Sequence, residues 1–156
     1  MKKFMIMFIT GAILLSSLAI SAPVMAQEGN GTCPTGCEGL TPGYWKNHLS
    51  AWECYTTSTT LEDVFDVPDS LGLDDKTLLQ ALNFGGGPGL TGMAKIMFRQ
   101  AVAALLNSCS SMIGYPYLPE EVIGYVNAVN WNSRSHMELL KDTFEASNEL
   151  GTCNGD

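Results

Sequence analysis

The stretch GMAKIMFRQAVAALLN, residues 92–107, decides the fold class of this chain. Its apolar residues recur three and four positions apart, which is the spacing of one face of an α-helix. That face is formed by Met93, Ile96, Met97, Ala101, Ala104 and Leu105, and it is widened by Val102 and Leu106. Charge is confined to Lys95 and Arg99 in the first half. A helix that is apolar around most of its circumference is surrounded by other elements. The stretch therefore predicts a central helix, with Thr91 as its candidate N-cap.

The segment TPGYWKNHLSAW, residues 41–52, contains the first helix signal. Pro42 and Gly43 predict a type II turn, which requires a positive φ at the glycine. Four residues after the turn share one helical face at positions i, i+3, i+4 and i+7: Trp45, His48, Leu49 and Trp52. This spacing predicts a helix that docks through its tryptophans and whose histidine bonds a neighbouring backbone carbonyl.

A second helix is predicted before the central one. Asp74 is its candidate cap, Leu78, Leu79 and Leu82 form its apolar stripe, and the glycine-rich run at residues 85–89 ends it. The segment LEDVFDV, residues 61–67, fits a short helix or a short strand equally well.

Two more helices are predicted after the central one. Pro119 suits the first turn of the earlier helix, and Ser135 with Glu138 forms a capping box for the later one, which Gly151 ends. Their apolar positions are Val122, Ile123, Val126 and Val129, and then Met137, Leu140 and Phe144. The sequence thus predicts a mostly α fold, a compact single-domain bundle of four to five helices.

The first 26 residues have the plan of a signal peptide. Lys2 and Lys3 precede an apolar run, Pro23 breaks helix, and small residues ending at Ala26 form a cleavage site. An uncleaved membrane anchor is the alternative, although the run is short for a span of about 20 residues. We therefore expect a signal peptide at residues 1–26, a flexible N-terminal arm at residues 27–39 and a helical domain at residues 40–156.

The mature chain is strongly acidic. Removing Lys2 and Lys3 from the eight basic residues leaves six against sixteen acidic ones, a formal charge of −10. Such a surface repels phosphate backbones, so no nucleic acid is expected as a partner. The composition suits a secreted protein, extracellular or periplasmic, with an extracellular protein or a polysaccharide as partner and membrane contact only through the signal segment.

Five cysteines remain after cleavage: Cys33, Cys37, Cys54, Cys109 and Cys153. An exported chain meets an oxidising compartment, so one or two disulfides are expected to staple the fold. A Cys37–Cys153 bridge would tie the two ends of the domain together. A local Cys33–Cys37 bridge is the alternative, and other pairings stay open. The odd number also allows a covalent dimer.

Five motifs in order resemble a widespread domain of secreted bacterial and archaeal proteins that has no established function. They are TPGYWKNH, TLLQALNFGGGPG, FRQAVAALLNS, YPYLPEEVIGYVNAV and NELGTC. Members of that family often carry a cysteine directly before the T-P-G, where this chain has Leu40. They also often end in glycine–cysteine, whereas Thr152 here separates Gly151 from Cys153. The resemblance implies secretion and a shared scaffold but no activity.

Two kinds of ligand site are candidates. Tyr44, Trp45, Lys46 and His48 form a possible ligand platform, because aromatic faces stack on sugar rings; the structural alternative buries Trp45 and Trp52 as core anchors. Six carboxylates lie between residues 62 and 75, and the calcium candidates among them are Asp66, Asp69, Asp74 and Asp75. The solvated-loop interpretation of these carboxylates competes with calcium, and no other cofactor is expected.

No catalytic motif is recognisable, and the two histidines, His48 and His136, lack metal-ligand spacing. The leading hypothesis is therefore a secreted, non-enzymatic extracellular module for cell-surface or matrix interaction. The first alternative is a carbohydrate-binding module that uses Tyr44, Trp45 and Trp131. The second is a small secreted hydrolase centred on His48.

Overall fold

The computed structural model describes residues 38–151, and this part of the chain is mostly α, as predicted. Its helices are α1 (Pro42–Asn47), α2 (Leu78–Leu82), α3 (Gly89–Cys109), α4 (Pro119–Asn127) and α5 (Arg134–Asn148). Residues 38–151 contain no strand, only an isolated antiparallel bridge between Thr60 and Thr77. The predicted signal peptide and nearly all of the predicted arm lie outside the described residues.

The central position of α3 is confirmed. It packs against each of the other four helices, and most of its residues from Gly92 to Asn107 are buried. It begins earlier than expected, at Gly89, which has a φ of 70°, so the N-cap is Pro88 rather than Thr91. A Cβ at Gly92 would overlap the carbonyl oxygen of Gly87, so the helix start and the glycine run fit closely.

The prediction for residues 41–52 was wrong in two respects. Thr41 is the N-cap of α1, its side chain accepts from the Tyr44 N–H, and Gly43 is helical rather than the third residue of a type II turn. The helix ends at Asn47, because His48 adopts a non-helical conformation and a 3₁₀ turn follows at Leu49–Ala51. The four residues therefore do not share one buried face. His48 and Leu49 are exposed.

Two of the predicted caps were displaced by a few residues. Thr77, not Asp74, caps α2 in a capping box with Gln80, because Asp74 lies in a separate turn before the helix, closed by the bond from the Lys76 N–H to the Leu73 carbonyl. Ser133, not Ser135, caps α5 and accepts from the His136 N–H. In both cases the nearest hydroxyl before the helix performs the capping.

The remaining segments complete the core around α3. Pro119 opens α4 as predicted, and Val122 and Val126 are buried beneath it. The ambiguous segment 61–67 is neither helix nor strand but a series of turns, which buries Leu61, Phe65 and Val67 in the core. None of the helices within residues 38–151 is long and apolar enough to cross a membrane.

Candidate ligand-binding pocket beside α1

A cavity of about 640 Å³ lies beside α1, next to the C-terminal ends of α3 and α5; we call it the α1 pocket. Its apolar lining comes from Leu40, Tyr44, Ala51, Met112 and Ile113. Two exposed carboxylates, Glu53 and Glu149, also line it. This volume and predominantly apolar lining with few polar groups are typical of sites that bind small molecules or side chains.

The floor of the pocket is held by the buried amide of Asn107. Its Oδ1 accepts from the Leu40 N–H at 2.9 Å and from the Trp45 indole N–H at 3.0 Å. Its Nδ2 donates to the Leu40 carbonyl and to Asn148 Oδ1, each at 2.8 Å. The Asn107 side chain thus uses two donor and two acceptor positions, which joins α1, α3, α5 and the chain before α1.

A second buried amide extends this network toward α5. Asn148 donates to the Gln100 carbonyl and side-chain oxygen, and its own Oδ1 also accepts from the Tyr115 hydroxyl at 2.9 Å. Gln100 in turn donates to Glu145. No buried side-chain nitrogen or oxygen in residues 38–151 lacks a hydrogen-bond partner. Fully paired polar networks fix one geometry, so the pocket floor is rigid.

One wall of the pocket is held by the exposed carboxylate of Glu53. It accepts from the Ser111 N–H at 3.1 Å and from the hydroxyls of Ser110 and Ser111, each at 3.2 Å. These bonds hold the pKa of Glu53 below its usual value, chiefly through the Ser111 backbone N–H. The carboxylate is therefore ionised at neutral pH and ties the 3₁₀ turn region to the loop after α3.

The predicted platform residues are divided between the interior and the surface. Trp45 is 1 % exposed, which agrees with the structural alternative. Tyr44 is half-buried, lies edge-on to Trp45 with the ring centroids 5.3 Å apart, and is one of the residues that line the α1 pocket. Lys46 is exposed and lines a different, polar depression together with Arg99. The four residues therefore do not form one platform.

His48 contacts the end of helix α1 through Tyr44. Its ring stacks on Tyr44 with a centroid distance of 4.0 Å, and its Nδ1 lies 2.9 Å from the Tyr44 carbonyl oxygen. Because a carbonyl can only accept, Nδ1 carries the proton. The expected bond to a neighbouring backbone carbonyl is present.

The aromatic set proposed for carbohydrate binding is not assembled. Trp131 is half-buried and stacks on Phe98 at 5.4 Å, whereas Trp45 donates its indole N–H to Asn107 in the interior. A buried indole has no free face for a sugar ring. Of the three residues Tyr44, Trp45 and Trp131, Trp45 therefore contributes no exposed ring.

The calcium candidates are not gathered into a site. Within residues 38–151 no group of three or more His, Cys, Asp or Glu side chains is arranged to hold a metal ion. Asp75 pairs instead with Lys76 at 2.7 Å, the Asp66 N–H donates to Asn127, and Asp69 starts a 3₁₀ turn. Calcium needs six to eight oxygen ligands, which Asp66, Asp69, Asp74 and Asp75 do not bring together here.

Two of the five cysteines lie within the described residues. Cys54 follows the 3₁₀ turn and is exposed, and Cys109 ends α3. Both are free thiols in the structure. Cys33, Cys37 and Cys153 lie outside the described residues, and so does the predicted Cys37–Cys153 bridge.

A second groove was not foreseen from the sequence. It has a volume of about 380 Å³ between α4 and α5 and includes Tyr117, Tyr125, His136 and Leu139. The rings of Tyr117 and Tyr125 meet edge to face at 5.8 Å, and Tyr125 is 47 % exposed. We call it the tyrosine groove. Its residues come from α4, from α5 and from the loop residues on either side of α4, so no sequence spacing indicates it.

Comparisons with protein-family models, with curated protein sequences and with solved structures gave no significant match for this chain. The pocket, the groove and the charge of the chain are the features that bear on its function.

Proposed function

We propose that this protein is a secreted, non-enzymatic extracellular module that holds an apolar, positively charged segment of a partner protein in the α1 pocket. The observation that carries the proposal is the pocket itself, whose apolar lining is held open by a buried amide network. Cell-surface or matrix interaction is the setting that this activity fits. The same proposal includes membership of the secreted bacterial and archaeal domain family that the five motifs resemble.

The charge of the pocket supports a basic partner. Glu53 and Glu149 line it, and the whole chain carries a formal charge of −8. A cationic side chain beside an apolar anchor would meet both the carboxylates and the apolar lining. Charge complementarity of this kind speeds association and selects among partners.

The rigidity of the pocket supports binding rather than catalysis. Asn107 and Asn148 use their hydrogen-bonding atoms within the fold, and His48 is committed to a backbone carbonyl. Preorganised apolar sites bind without the cost of ordering their walls. The polar groups nearest the pocket thus hold its shape, which is the arrangement that a binding module needs.

The test compares two exposed apolar positions in the exported protein. Met112 is 71 % exposed and lines the α1 pocket, whereas Leu139 is 67 % exposed and lines the tyrosine groove. Binding of the neutral apolar dye Nile red is measured by fluorescence for the parent, Met112→Lys and Leu139→Lys. We expect Met112→Lys to weaken binding at least about 10-fold, equivalent to roughly 1.4 kcal/mol, with little change for Leu139→Lys.

Calorimetry with two synthetic peptides tests the charge preference. Both carry the same leucine and phenylalanine residues, flanked by lysine in one peptide and by glutamate in the other. The lysine peptide should bind more tightly, and Glu149→Gln should reduce the difference, as should added salt. Equal affinities would contradict the charge argument, and equal effects of Met112→Lys and Leu139→Lys on dye binding would contradict the pocket assignment.

Three further outcomes separate competing explanations. Tighter dye binding by a variant that lacks residues 27–36 would identify that segment as a competing occupant. Sedimentation showing dimers that the dye dissociates would identify a second copy instead. Turnover of a polysaccharide, peptide or ester by the purified chain would overturn the non-enzymatic assignment.

A carbohydrate-binding module remains a second candidate, but at the tyrosine groove. The exposed ring of Tyr125, set at 82° to the ring of Tyr117, offers an angled aromatic surface, and His136 lines the same groove. Tyr125→Ala should abolish retention on an immobilised polysaccharide, while Met112→Lys leaves it unchanged. Retention that survives Tyr125→Ala would exclude this groove.

Disulfide bonds belong to the same proposal. Export places the thiols of this chain in an oxidising compartment, where one or two bridges would staple the helices. A Cys37–Cys153 bridge remains the proposed link between the ends of the domain, and a covalent dimer through the odd cysteine remains open to non-reducing electrophoresis.

A further inference from the structure

Cys54 and Cys109 are 55 positions apart in the chain and adjacent in space. The thiol of Cys54 donates to the backbone carbonyl oxygen of Cys109 with the sulfur 3.6 Å from that oxygen. Burial, together with the two neighbouring cysteines, raises the pKa of Tyr55, which directly follows Cys54. The exposed Cys54 side chain can change rotamer, and bond formation requires the two sulfurs to approach to about 2.05 Å.

We infer that Cys54 and Cys109 form an intramolecular disulfide in the exported protein and that this bond fixes the wall of the α1 pocket. The two cysteines directly flank the hydrogen-bonded pair that builds this wall, because Glu53 precedes Cys54 and Ser110 follows Cys109. The bridge would therefore link covalently the two segments that Glu53 already joins through hydrogen bonds. It would also leave Cys33, Cys37 and Cys153 for one further pairing and one odd thiol.

The chemistry balances with a disulfide as oxidant, supplied by a thiol–disulfide oxidoreductase or by an oxidised small thiol. The exposed Cys54 thiolate attacks one sulfur of that disulfide, forming a mixed disulfide and releasing one reduced thiol. Cys109 then loses its proton, attacks the Cys54 sulfur and releases the second thiol. Two protons and two electrons pass from the protein thiols to the oxidant.

The order of these steps follows from the surroundings of the two sulfurs. Cys54 is exposed and reachable by a bulky oxidant, whereas Cys109 is half-buried. Burial, reinforced by the neighbouring Cys54 thiol, raises the pKa of Cys109 to about 12. Cys109 is thus a poor first nucleophile, and it becomes reactive once Cys54 carries the leaving group beside it.

The first experiment maps the bridge in the full chain, exported to an oxidising compartment. Free thiols are blocked with iodoacetamide without reduction, the protein is cleaved with trypsin, and cross-linked peptides are identified by mass spectrometry. We expect one cross-linked species joining the peptides that contain Cys54 and Cys109. A bond from either residue to Cys33, Cys37 or Cys153, a dimer through Cys54, or alkylation of both thiols would overturn the inference.

The second experiment measures the consequence for stability and for the pocket. Closing a loop of this length predicts a melting temperature about 10–20 °C lower for Cys54→Ser than for the oxidised parent. In a background in which Cys33, Cys37 and Cys153 are all replaced by serine, Cys54→Ser/Cys109→Ser should match the single variant. Reductant should lower the parent of that background to the same level without changing the variants. A melting temperature unaffected by Cys54→Ser, with the parent insensitive to reductant, would refute the structural role.

The disulfide inference rests on the proposed export only because export supplies the oxidant. A third measurement tests the disulfide separately from export. The chain produced in reducing cytosol is treated with oxidised glutathione in vitro. Formation of the Cys54–Cys109 bridge there supports the geometry even if the natural protein is not exported. Mixed glutathione adducts at Cys54 that persist without forming the bridge would refute it.

Discussion

Replacing Asn107 with leucine should destabilise the fold more than any comparable change of a surface amide. The substitution keeps the approximate size of the side chain but removes all four of its hydrogen bonds. The buried indole N–H of Trp45 and the N–H of Leu40 lose their acceptor. Each buried donor left unpaired costs about 1–3 kcal/mol, so the two together cost roughly 4 kcal/mol.

Part of this loss is offset by the apolar character of leucine. Its extra apolar surface in the core contributes about 1 kcal/mol, which leaves a net loss near 3 kcal/mol. For a fold whose total stability is about 5–15 kcal/mol, that is a large fraction. With a urea m-value of about 1–1.5 kcal/mol/M, the unfolding midpoint should fall by roughly 2–3 M.

Urea unfolding followed by tryptophan fluorescence and by circular dichroism measures this shift. The matched control is Asn132→Leu at an exposed position, which should change the free energy of unfolding by less than about 0.5 kcal/mol. A loss below about 1 kcal/mol for Asn107→Leu would show that the network does not hold the pocket floor. A double-mutant cycle with Trp45→Phe provides an independent check. Because phenylalanine lacks the indole N–H that Asn107→Leu leaves unpaired, the double variant should lose less free energy of unfolding than the sum of the two single variants.

Three further predictions follow from single contacts. Gly92→Ala should destabilise the fold by about 2 kcal/mol or more, because the new Cβ would overlap a backbone oxygen. Gly124→Ala on α4 has open space around it and should stabilise the fold by about 0.5–1 kcal/mol. Thermal unfolding of the two variants measures the difference. Burial raises the pKa of Tyr115, so its phenol ionises more readily in the unfolded chain than in the folded one. The free energy of unfolding should therefore fall as pH rises above about 10. In urea titrations between pH 10 and 11, the parent should lose about 1 kcal/mol more of this free energy than Tyr115→Phe. The pKa of Glu53 is lowered by its serine partners, so its contribution to stability is present above the unfolded-state pKa of 4.5 and is lost as pH falls. In a plot of melting temperature against pH, Glu53→Gln should therefore reduce the decrease at acid pH and leave the alkaline side unchanged.

The helical class of the fold was predictable because its signal is local. Residues 92–107 repeat apolar side chains at helical spacing over more than four turns, and such a run has few alternatives. Pro119 likewise marks a helix start through its fixed φ and missing N–H, and the helix begins there. These features depend on the chain within a few residues of themselves, so the sequence alone carries them.

The first helix was harder to predict because its end depends on distant contacts. Helical spacing continues through His48 and Leu49 to Trp52, yet the chain leaves the helix after Asn47. The Trp52 indole N–H donates to the Trp45 carbonyl at 3.0 Å, a bond that folds the segment back on itself. Hydrophobic periodicity does not reveal such a bond. The prediction from periodicity therefore placed His48 and Leu49, which are exposed, on a buried face.

The α1 pocket was only partly visible in the sequence. Tyr44 was singled out because aromatic residues are dense around it, and it does line the pocket. Met112 and Ile113 were missed because they follow the end of α3 in a turn without periodicity. Asn107 offered one signal, a polar residue at the end of an apolar helical run, but the partners that explain it lie 62 and 41 positions away.

The pocket, the amide network and the cysteine pair lie at one junction because that is where the chain needs non-local links. The short helix α1 is only six residues long, and so short a helix is not stable by itself. Helix α1 is held by the hydrogen bonds of Asn107 and by the Glu53 contacts in the adjacent segment. The α1 pocket lies between these two sets of contacts. Weakening either link should therefore release α1 before the rest of the bundle. Hydrogen exchange would then show protection lost first at Trp45 in Asn107→Leu, while the centre of α3 stays protected; uniform loss across both helices would mean that α1 and the core unfold as one unit.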